Sequence, residues 1–304
     1  MYFLKRLIFA IPLLLVISAL AFVFVRLAPG GPFDKERAPA SPEIKRALEA
    51  KYHLDEPTGK QYLRYLGDLV QGDFGVSLKY RNHTVNDIIA QGLPVSLTLG
   101  FLAFGFAMGV GLPLGFITAA RRGRWQDYTG SLVAVLMVCV PGFVIAPLLV
   151  IGFAMHWQLL PVALWESPLH AVLPTIALGL YFSGKIARLM REGMLNTMQS
   201  EYVTAARAKG MSENAVLLKH VLRLAVLPVV SYSGPLLADL LTGSFVIENI
   251  FQLPGIGVFL VNGSMNRDYP VVVGLALLYA ALLILMNLLV DAAYAVLDPR
   301  VKYE

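Results

Sequence analysis

The chain has 304 residues, of which 57% are hydrophobic and only 15% are charged, whereas charged residues make up about a quarter of an ordinary soluble domain. This composition excludes a soluble globular protein, and the single cysteine, Cys139, excludes a disulfide scaffold and a cysteine-rich metal site. The formal net charge of +5 is typical of a membrane protein with basic cytoplasmic loops and does not indicate nucleic-acid binding.

Six apolar stretches predict transmembrane helices, since a helix needs about 20 apolar residues to cross a bilayer. We retain the first as a span because its apolar run is too long for a signal peptide and no cleavage site follows it. Pro141-Gly142 in the third span and Pro235 in the fifth are predicted to kink or loosen their helices. In chain order the predicted spans are Leu7–Val25, Leu93–Ala120, Tyr128–Met155, Ser167–Gly184, Leu224–Ile247 and Tyr269–Val290.

The long segment between the first two spans, Arg26–Gly92, predicts a small helical scaffold. Ser41 is a candidate N-cap for one amphipathic helix, and a second amphipathic helix is predicted to end at Gly72. Thr84 is predicted to cap a short third helix, Val85–Ala90, that leads into the second span. A scaffold on the outer face of the membrane is favoured over a substrate site in this segment.

Small residues recur at helical spacing in the second span. The patterns Gly105-x-x-x-Gly109 and Gly111-x-x-x-Gly115 are spacings that let two helices approach closely in lipid. Packing within the subunit is favoured over a functional hinge at these glycines.

The distribution of lysine and arginine predicts that both termini are cytoplasmic. With the N-terminus inside, the basic residues next to the short loops fall on the cytoplasmic side, as the positive-inside rule requires. The basic residues of the first outer loop do not oppose this orientation, because loops beyond about 60 residues translocate largely regardless of charge. The polar segment between the fourth and fifth spans is therefore predicted to face the cytoplasm.

The sequence lacks the motifs of several kinds of chemistry. No G-x-x-x-x-G-K-[ST] phosphate loop is present, since the two Gly-Lys pairs are followed by Gln61 and Ile186. The histidines have no metal-ligand spacing, and neither H-E-x-x-H nor G-x-S-x-G occurs. We therefore expect no catalytic residue, no metal site and no cofactor bound by this chain.

Two carboxylates in the fifth span are candidates for the substrate pathway. Asp239 lies midway along this span, where an ionisable group costs a few kcal/mol unless it faces a wet cavity or a partner. A role in the pathway and a structural hydrogen bond are both open for Asp239. Glu248 ends the same span, and for this residue an ordinary carboxylate at the membrane interface is favoured over a pathway role.

The polar segment Glu201–Pro228 has the pattern of a docking surface. Three alanines leave one side of its first helix nearly bare, and a bare helix can lie close in a groove: Ala205, Ala206 and Ala208. Gly210 permits the left-handed turn that ends such a helix, and a second helix follows. This helix–turn–helix is either a docking site for another protein or an amphipathic connector.

The same segment resembles a known family. Thr204-Ala205-Ala206-x-x-x-Gly210, followed by Leu227-Pro228, is similar to the EAA loop of ABC-importer permeases, in the form found in peptide and nickel permeases. Thr204 stands where the general pattern has glutamate, so the role of that carboxylate does not carry over. Other segments fit the same family in the expected order: Arg26–Phe33, Gly72–Ser77, Gly243–Gly257, Asn266–Tyr269 and Asp298–Val301. Two more resemble the B-type subunit of oligopeptide permeases: Glu49–Pro57 and Ser77–Asp87.

The resemblance implies an all-α, polytopic protein of the bacterial inner membrane with six transmembrane helices and the type I ABC-importer permease fold. Its parts would be the N-terminus and first span (1–27), an extracytoplasmic helical scaffold (28–92) and a permease core (93–304). Within the core, residues 191–223 would form the cytoplasmic coupling loop. The residues that the resemblance assigns to ATPase coupling are Thr204, Ala205, Ala206, Lys209 and Gly210.

The implied function is the uptake of oligopeptides by alternating access. The implied partners are a homologous second permease subunit, two cytoplasmic ATPases that bind ATP and Mg, an extracytoplasmic peptide-binding protein and the lipid bilayer, but no nucleic acid. The chain itself would be a transporter subunit without an ATPase site. A dipeptide or nickel importer is the alternative within the family, and an ATPase-independent channel is the alternative from another class.

Overall fold

The structure is a computed structural model that describes residues 2–27, 42–80 and 82–297. Helices account for most of these residues, and the β structure among them is one isolated antiparallel bridge between Val76 and Thr84. The all-α fold class predicted from the sequence is confirmed. The predicted cap Ser41 and the segment Asp298–Val301 lie outside the described residues.

The helices follow one another with mostly short connections. In chain order they are α1 (Tyr2–Leu27), α2 (Pro42–Lys51), α3 (Thr58–Val70), α4 (Val85–Ala120), α5 (Trp125–Cys139), α6 (Gly142–Leu149), α7 (Val172–Met198), α8 (Glu201–Ala208), α9 (Glu213–Ala215), α10 (Leu222–Ala225), α11 (Leu227–Leu241), α12 (Phe245–Ile250), α13 (Ile256–Asn266) and α14 (Tyr269–Leu297). A π-helical stretch follows α6 (Val150–His156) and another follows α9 (Val216–Val221), and a 3-10 turn precedes α7 (Pro168–Ala171).

Five helical stretches are long and apolar enough to cross a membrane, and there are six if one bent pair counts as a span. The two helices of this pair, Trp125–Cys139 and Gly142–His156, meet at 99°. The bend lies at Pro141, whose ring removes a backbone donor and disfavours helix in the preceding residue, Val140. The kink predicted there is confirmed, whereas Pro235 lies within α11 without interrupting it.

The chain groups into two compact units. The first joins the N-terminal part, as far as Val95, to Pro254–Leu282, and the second joins Ser96–Leu253 to the residues from Leu283 onward. The division into 1–27, 28–92 and 93–304 concerned the sides of the membrane, and it stays a prediction. The units add one feature that the sequence did not indicate, because they place Pro254–Leu282 with the N-terminal part of the chain.

In the first unit, the beginning of α4 differs from the sequence prediction. Thr84 caps the helix as expected: its hydroxyl accepts a hydrogen bond from the Asp87 amide at 3.1 Å, and the Asp87 carboxylate accepts one from the Thr84 amide at 2.9 Å. The short helix Val85–Ala90 is not a separate element, because α4 continues without a break to Ala120. Gly92, between the predicted third helix and the predicted second span, lies inside α4 and packs against Ile256.

The segment that follows α3 in the first unit is anchored by one buried carboxylate. Asp268, between α13 and α14, is fully buried and accepts a hydrogen bond from the Ser77 hydroxyl. It also accepts hydrogen bonds from the amides of Leu78 and Lys79, at 3.0 and 3.2 Å. Hydrogen bonds to a charged group are stronger than neutral ones, so this carboxylate fixes the segment after α3 to the α13–α14 junction.

The predicted scaffold helix α3 lies against α1. The hydroxyl groups of Tyr62 and Ser18 are 2.8 Å apart, and the guanidinium group of Arg26 donates to the side-chain oxygen of Gln61 at 2.9 Å. Gly72 follows the helix with a φ of 79°, as expected for a glycine that ends a helix.

In the second unit, α7 is the central helix. It packs against α5, α6, α10, α11 and α12. Two glycines of α4 also lie against it: a Cβ at Gly111 would come within 2.7 Å of a carbonyl oxygen of α7, and one at Gly115 would overlap another. Close packing predicted for this pair is confirmed, whereas Gly105 and Gly109 have no such neighbour within 4 Å.

Candidate coupling loop and transport pathway

The centre of the coupling loop is a helix, a glycine turn and a second helix. The turn after α8 is closed by the amide of Gly210, which donates to the carbonyl oxygen of Arg207 at 2.9 Å. Gly210 has a φ of 79°, in the left-handed region that favours glycine. The left-handed turn predicted from the sequence is confirmed.

The helix α8 has one buried face and one exposed face. Val203 is fully buried and Ala206 is 6% exposed, and both belong to the hydrophobic core of the second unit. The exposed face carries Glu201, Ala205 and Ala208, which follow the helical spacing of four and three residues. We call these three residues the α8 stripe.

The structure corrects one part of the predicted docking surface. The sequence placed Ala205, Ala206 and Ala208 on the same bare side, but Ala206 lies three residues after Val203 and therefore shares the face that packs inward. Thr204 and Lys209 are exposed with Ala205, so four of the five predicted coupling residues, counting Gly210, face solvent in this chain.

An ion pair closes the glycine turn. The guanidinium group of Arg207 donates to both carboxylate oxygens of Glu213, at 2.7 and 3.1 Å. Its hydrogen bonds lower the pKa of Glu213 and raise the pKa of Arg207, so the pair is charged at neutral pH. Because both side chains are largely exposed, the pair contributes about 0–1 kcal/mol. Sequence reasoning missed it, although a glycine turn between a basic and an acidic residue was a visible signal.

The coupling loop is packed onto α7. Val203 and Ala206 share a buried cluster with Val216 and Val221 of the π-helical stretch and with Met190 of α7, among others. Near the end of α7, a Cβ on Gly193 would overlap the carbonyl oxygen of Ala225 in α10. Interiors packed at this density transmit displacement, so a force on α8 would reach α7 and α10.

A second ion pair holds α5 to α7. The guanidinium group of Arg191 donates to both oxygens of Asp127, at 2.9 and 3.1 Å. Asp127 is buried and also accepts a hydrogen bond from the amide of Gly123 at 3.0 Å. Nothing in the spacing of the sequence connected these two residues, which are brought together by the packing of α5 on α7.

The two candidate pathway carboxylates have different surroundings. Asp239 is on the exposed face of α11 within this chain, and its side chain makes no hydrogen bond among the described residues. Glu248 is fully buried and accepts a hydrogen bond from the hydroxyl of Ser96 at 2.7 Å. This burial does not fit a carboxylate at a wet interface and favours a structural role for Glu248, whereas a pathway role for Asp239 stays a prediction.

Comparisons with known proteins identify the family. Residues 111–303 match the family described as the binding-protein-dependent transport system inner membrane component. The chain is 44% identical over 301 residues to the oligopeptide transport system permease protein OppB of Haemophilus influenzae, which covers 98% of both chains. It is also 44% identical to the dipeptide transport system permease protein DppB of Bacillus subtilis, covering 99% of this chain and 97% of that one.

Solved structures give the same fold. A chain of the MetNI methionine ABC transporter in an inward-facing conformation has a TM-score of 0.58 and 18% sequence identity, covering 69% of this chain and 96% of that chain. At this identity the likeness concerns the fold alone.

The chain belongs to the family of inner membrane components of binding-protein-dependent transport systems. Within this family it is similar to permeases named for oligopeptides and for dipeptides. The resemblance to ABC-importer permeases, predicted from the coupling loop and the segments along the chain, is confirmed.

The conformation of Gly210 gives a testable prediction. In Gly210→Val the left-handed turn would be strained by about 1–2 kcal/mol, whereas asparagine tolerates this conformation. We expect trypsin to cut the solubilised protein after Arg207 and Lys209 about tenfold faster in Gly210→Val. If the strain lowers the free energy of local opening by about 1.4 kcal/mol, the open form that trypsin cuts is ten times more populated. Gly210→Asn should be cut at nearly the parent rate, and equal rates for all three proteins would contradict a turn that depends on Gly210.

Proposed function

We propose that this chain is the permease subunit of an ATP-driven importer that takes up oligopeptides. The observation that carries the proposal is 44% identity along almost the whole length of permeases named for oligopeptide transport, including one from Escherichia coli that covers 99% of both chains. Residues 28–92 would lie outside the membrane as a scaffold, and residues 93–304 would form the permease core. Both termini and the coupling loop would be cytoplasmic.

The proposed partners supply what the chain lacks. Its sequence has no phosphate loop, so two cytoplasmic ATPases would bind ATP and Mg, and this subunit would not hydrolyse ATP itself. A homologous second permease subunit would complete the pathway through the bilayer. An extracytoplasmic binding protein would deliver the peptide.

The proposed coupling begins at the α8 stripe. Ala205 and Ala208 would lie in a groove of one ATPase, since their short side chains allow the helix backbone to approach it closely, and Glu201 would lie at the end of this contact. The inward face, with Val203 and Ala206, would pass the movement of the ATPase to α7 through the shared core. Alternating access requires an element with two conformations whose equilibrium depends both on the ATPase and on the substrate pathway. The packed coupling loop is suited to that role.

A dipeptide importer is the second candidate. It is favoured by the equal identity of 44% to the dipeptide permease of Bacillus subtilis. The two candidates differ in the length of the peptide that the complete system carries.

The first prediction separates these two candidates. Proteoliposomes that contain the complete importer should take up a labelled pentapeptide, and a fivefold excess of unlabelled pentapeptide should compete more strongly than the same excess of dipeptide. Uptake of the dipeptide alone would contradict the oligopeptide proposal and favour the second candidate.

The second prediction concerns the α8 stripe. In Ala205→Glu a larger, charged side chain would enter the proposed contact, where overfilling costs about 1–3 kcal/mol and a stranded charge costs more. We expect the ATPase on this side to co-purify at least tenfold less well, since about 1.4 kcal/mol is tenfold in affinity. Peptide uptake should fall with it, while insertion and pairing with the second permease should be unchanged.

The matched control is Asn214→Glu. This change adds the same charge at an exposed position of α9 that is not part of the α8 stripe, so the ATPase should be retained. Ala206→Glu is unsuitable as a test, because it would place a charge in the core of the chain itself. Normal ATPase retention and uptake in Ala205→Glu would leave the coupling loop as a connector only.

The third prediction concerns topology. The chain's own cysteine, Cys139, is exposed and must first be replaced by serine. In that background a cysteine in place of Lys60 should react with an impermeant thiol reagent in intact cells, and one in place of Asn214 should react only after the membrane is opened. Labelling of the Asn214 position in intact cells would contradict the proposed cytoplasmic coupling loop.

A further inference from the structure

Two opposite charges lie at the centres of two neighbouring membrane helices in the second unit. The predicted fourth span ended at Gly184, but the candidate span continues from Pro168 to Met198 and has Lys185 near its middle. Asp239 is at the middle of the candidate span Leu227–Ile250. The two helices pack against each other, and the ammonium group of Lys185 lies near Tyr232 of the helix that carries Asp239. Charged groups at the middle of a membrane helix are costly, and they mark substrate pathways when they face a wet cavity.

Two tyrosines accompany these charges. Tyr181 precedes Lys185 by four residues on α7, so both side chains lie on the same helix face. The Lys185 ammonium group lies 4.6 Å from the centre of the Tyr181 ring and 5.9 Å from the centre of the Tyr232 ring, within the range of cation–π attraction. Tyr232 precedes Asp239 by seven residues on α11, again on one face. We call these four residues the mid-membrane cluster.

The cluster is open to the outside of the chain. Tyr181, Lys185 and Tyr232 are half-buried, and Asp239 is exposed. No direct ion pair joins Lys185 to Asp239 in the part of the chain that the structure describes. A lipid-facing position would leave both charges in hydrocarbon, so this face of α7 and α11 is expected to border water inside the transporter.

Two buried acidic groups of this unit are occupied differently. Asp127 is buried in a bidentate pair with Arg191, and Glu248 is buried against Ser96. Their charges are used to hold helices together. The charged groups of the mid-membrane cluster are not enclosed between packed helices in this way. They are therefore available to bind a ligand, whereas Asp127 and Glu248 serve to hold helices together.

We infer that the mid-membrane cluster binds the charged ends of a peptide as it passes through the transporter: Lys185 binds the terminal carboxylate and Asp239 binds the terminal ammonium group. The inference rests on the proposed peptide-import function. Tyr181 and Tyr232 hold the ammonium group of Lys185 in place and offer ring faces to peptide side chains of any sequence.

The charges of the cluster are complementary to the two ends of a peptide, which we therefore infer to be its ligand. Side chains differ between peptides, but every unmodified peptide has one ammonium and one carboxylate end. A peptide that moves through the pathway brings first one end and then the other to the same depth. One positive and one negative group at this depth can therefore serve peptides of different lengths, and sites near the middle of the bilayer are typical of transporters.

The test compares three forms of one pentapeptide: with both ends free, with an acetylated N-terminus, and with an amidated C-terminus. Uptake is measured in proteoliposomes that contain the complete importer with the same binding protein throughout. Any preference of the binding protein among the three peptides is then the same for every variant. A change in the ratio of the three uptake rates between variants therefore arises in this chain.

The parent importer should take up the free peptide faster than either blocked form. Asp239→Asn should reduce the preference for a free N-terminus about tenfold and leave the preference for a free C-terminus unchanged, since a hydrogen bond to a charged group is worth about tenfold or more in binding. Lys185→Gln should do the reverse. Asp239→Glu, which keeps the carboxylate, should retain the preference for a free N-terminus.

The matched controls are Glu192→Gln and Arg188→Gln. They make the same chemical changes at exposed positions of α7 outside the cluster, and the parent ratios should persist. If Asp239→Asn and Lys185→Gln keep the parent ratios between the uptake rates of the three peptides, even at a lower overall rate, the inference is wrong. Lys185 and Asp239 would then have a structural role. An absence of preference in the parent importer would overturn it as well. If the parent importer carries no peptide at all, the proposed function itself is wrong.

Discussion

The close approach of other helices to α7 is the constraint on which the second unit depends. Helices in lipid associate through packing and not through a hydrophobic driving force, so they need short distances between backbones. Gly111 and Gly115 of α4 and Gly193 of α7 provide these distances, because a side chain at any of them would meet a carbonyl oxygen of the partner helix. The coupling loop packs on the same helix, and α7 thus joins this loop to the helices that surround it.

The buried charges of the chain show how polar groups are distributed in a largely apolar protein. Asp268 in the first unit is surrounded by hydrogen-bond donors, and Asp127 in the second unit is paired with Arg191. Burial of a charge is tolerated when such partners satisfy it. Lys185 and Asp239 form no direct ion pair with each other among the described residues. This smaller number of charged partners is the physical reason for proposing that they belong to the pathway and not to the scaffold.

The proposed coupling role calls for opposite properties on the two sides of one short helix. The exposed side of α8 would need small side chains so that a partner can come close, and the buried side would need tight contacts so that movement is transmitted. Ala205 and Ala206 are adjacent and chemically identical, yet the first is exposed and the second is in the core. A motif of consecutive alanines therefore contains both an exposed position and a packed position.

The sequence by itself determined the membrane class, the all-α fold, the bend at Pro141, the cap at Thr84 and the left-handed turn at Gly210. Each of these follows from local physics: the length of an apolar run, a missing backbone donor, or a conformation that only glycine adopts easily. The tertiary structure decided which alanine of the coupling loop packs inward, that Glu248 is buried, and that Asp127 meets Arg191 and Ser77 meets Asp268. These contacts join residues far apart in the chain, and their partners are selected by how the helices pack, which no local pattern of residues specifies.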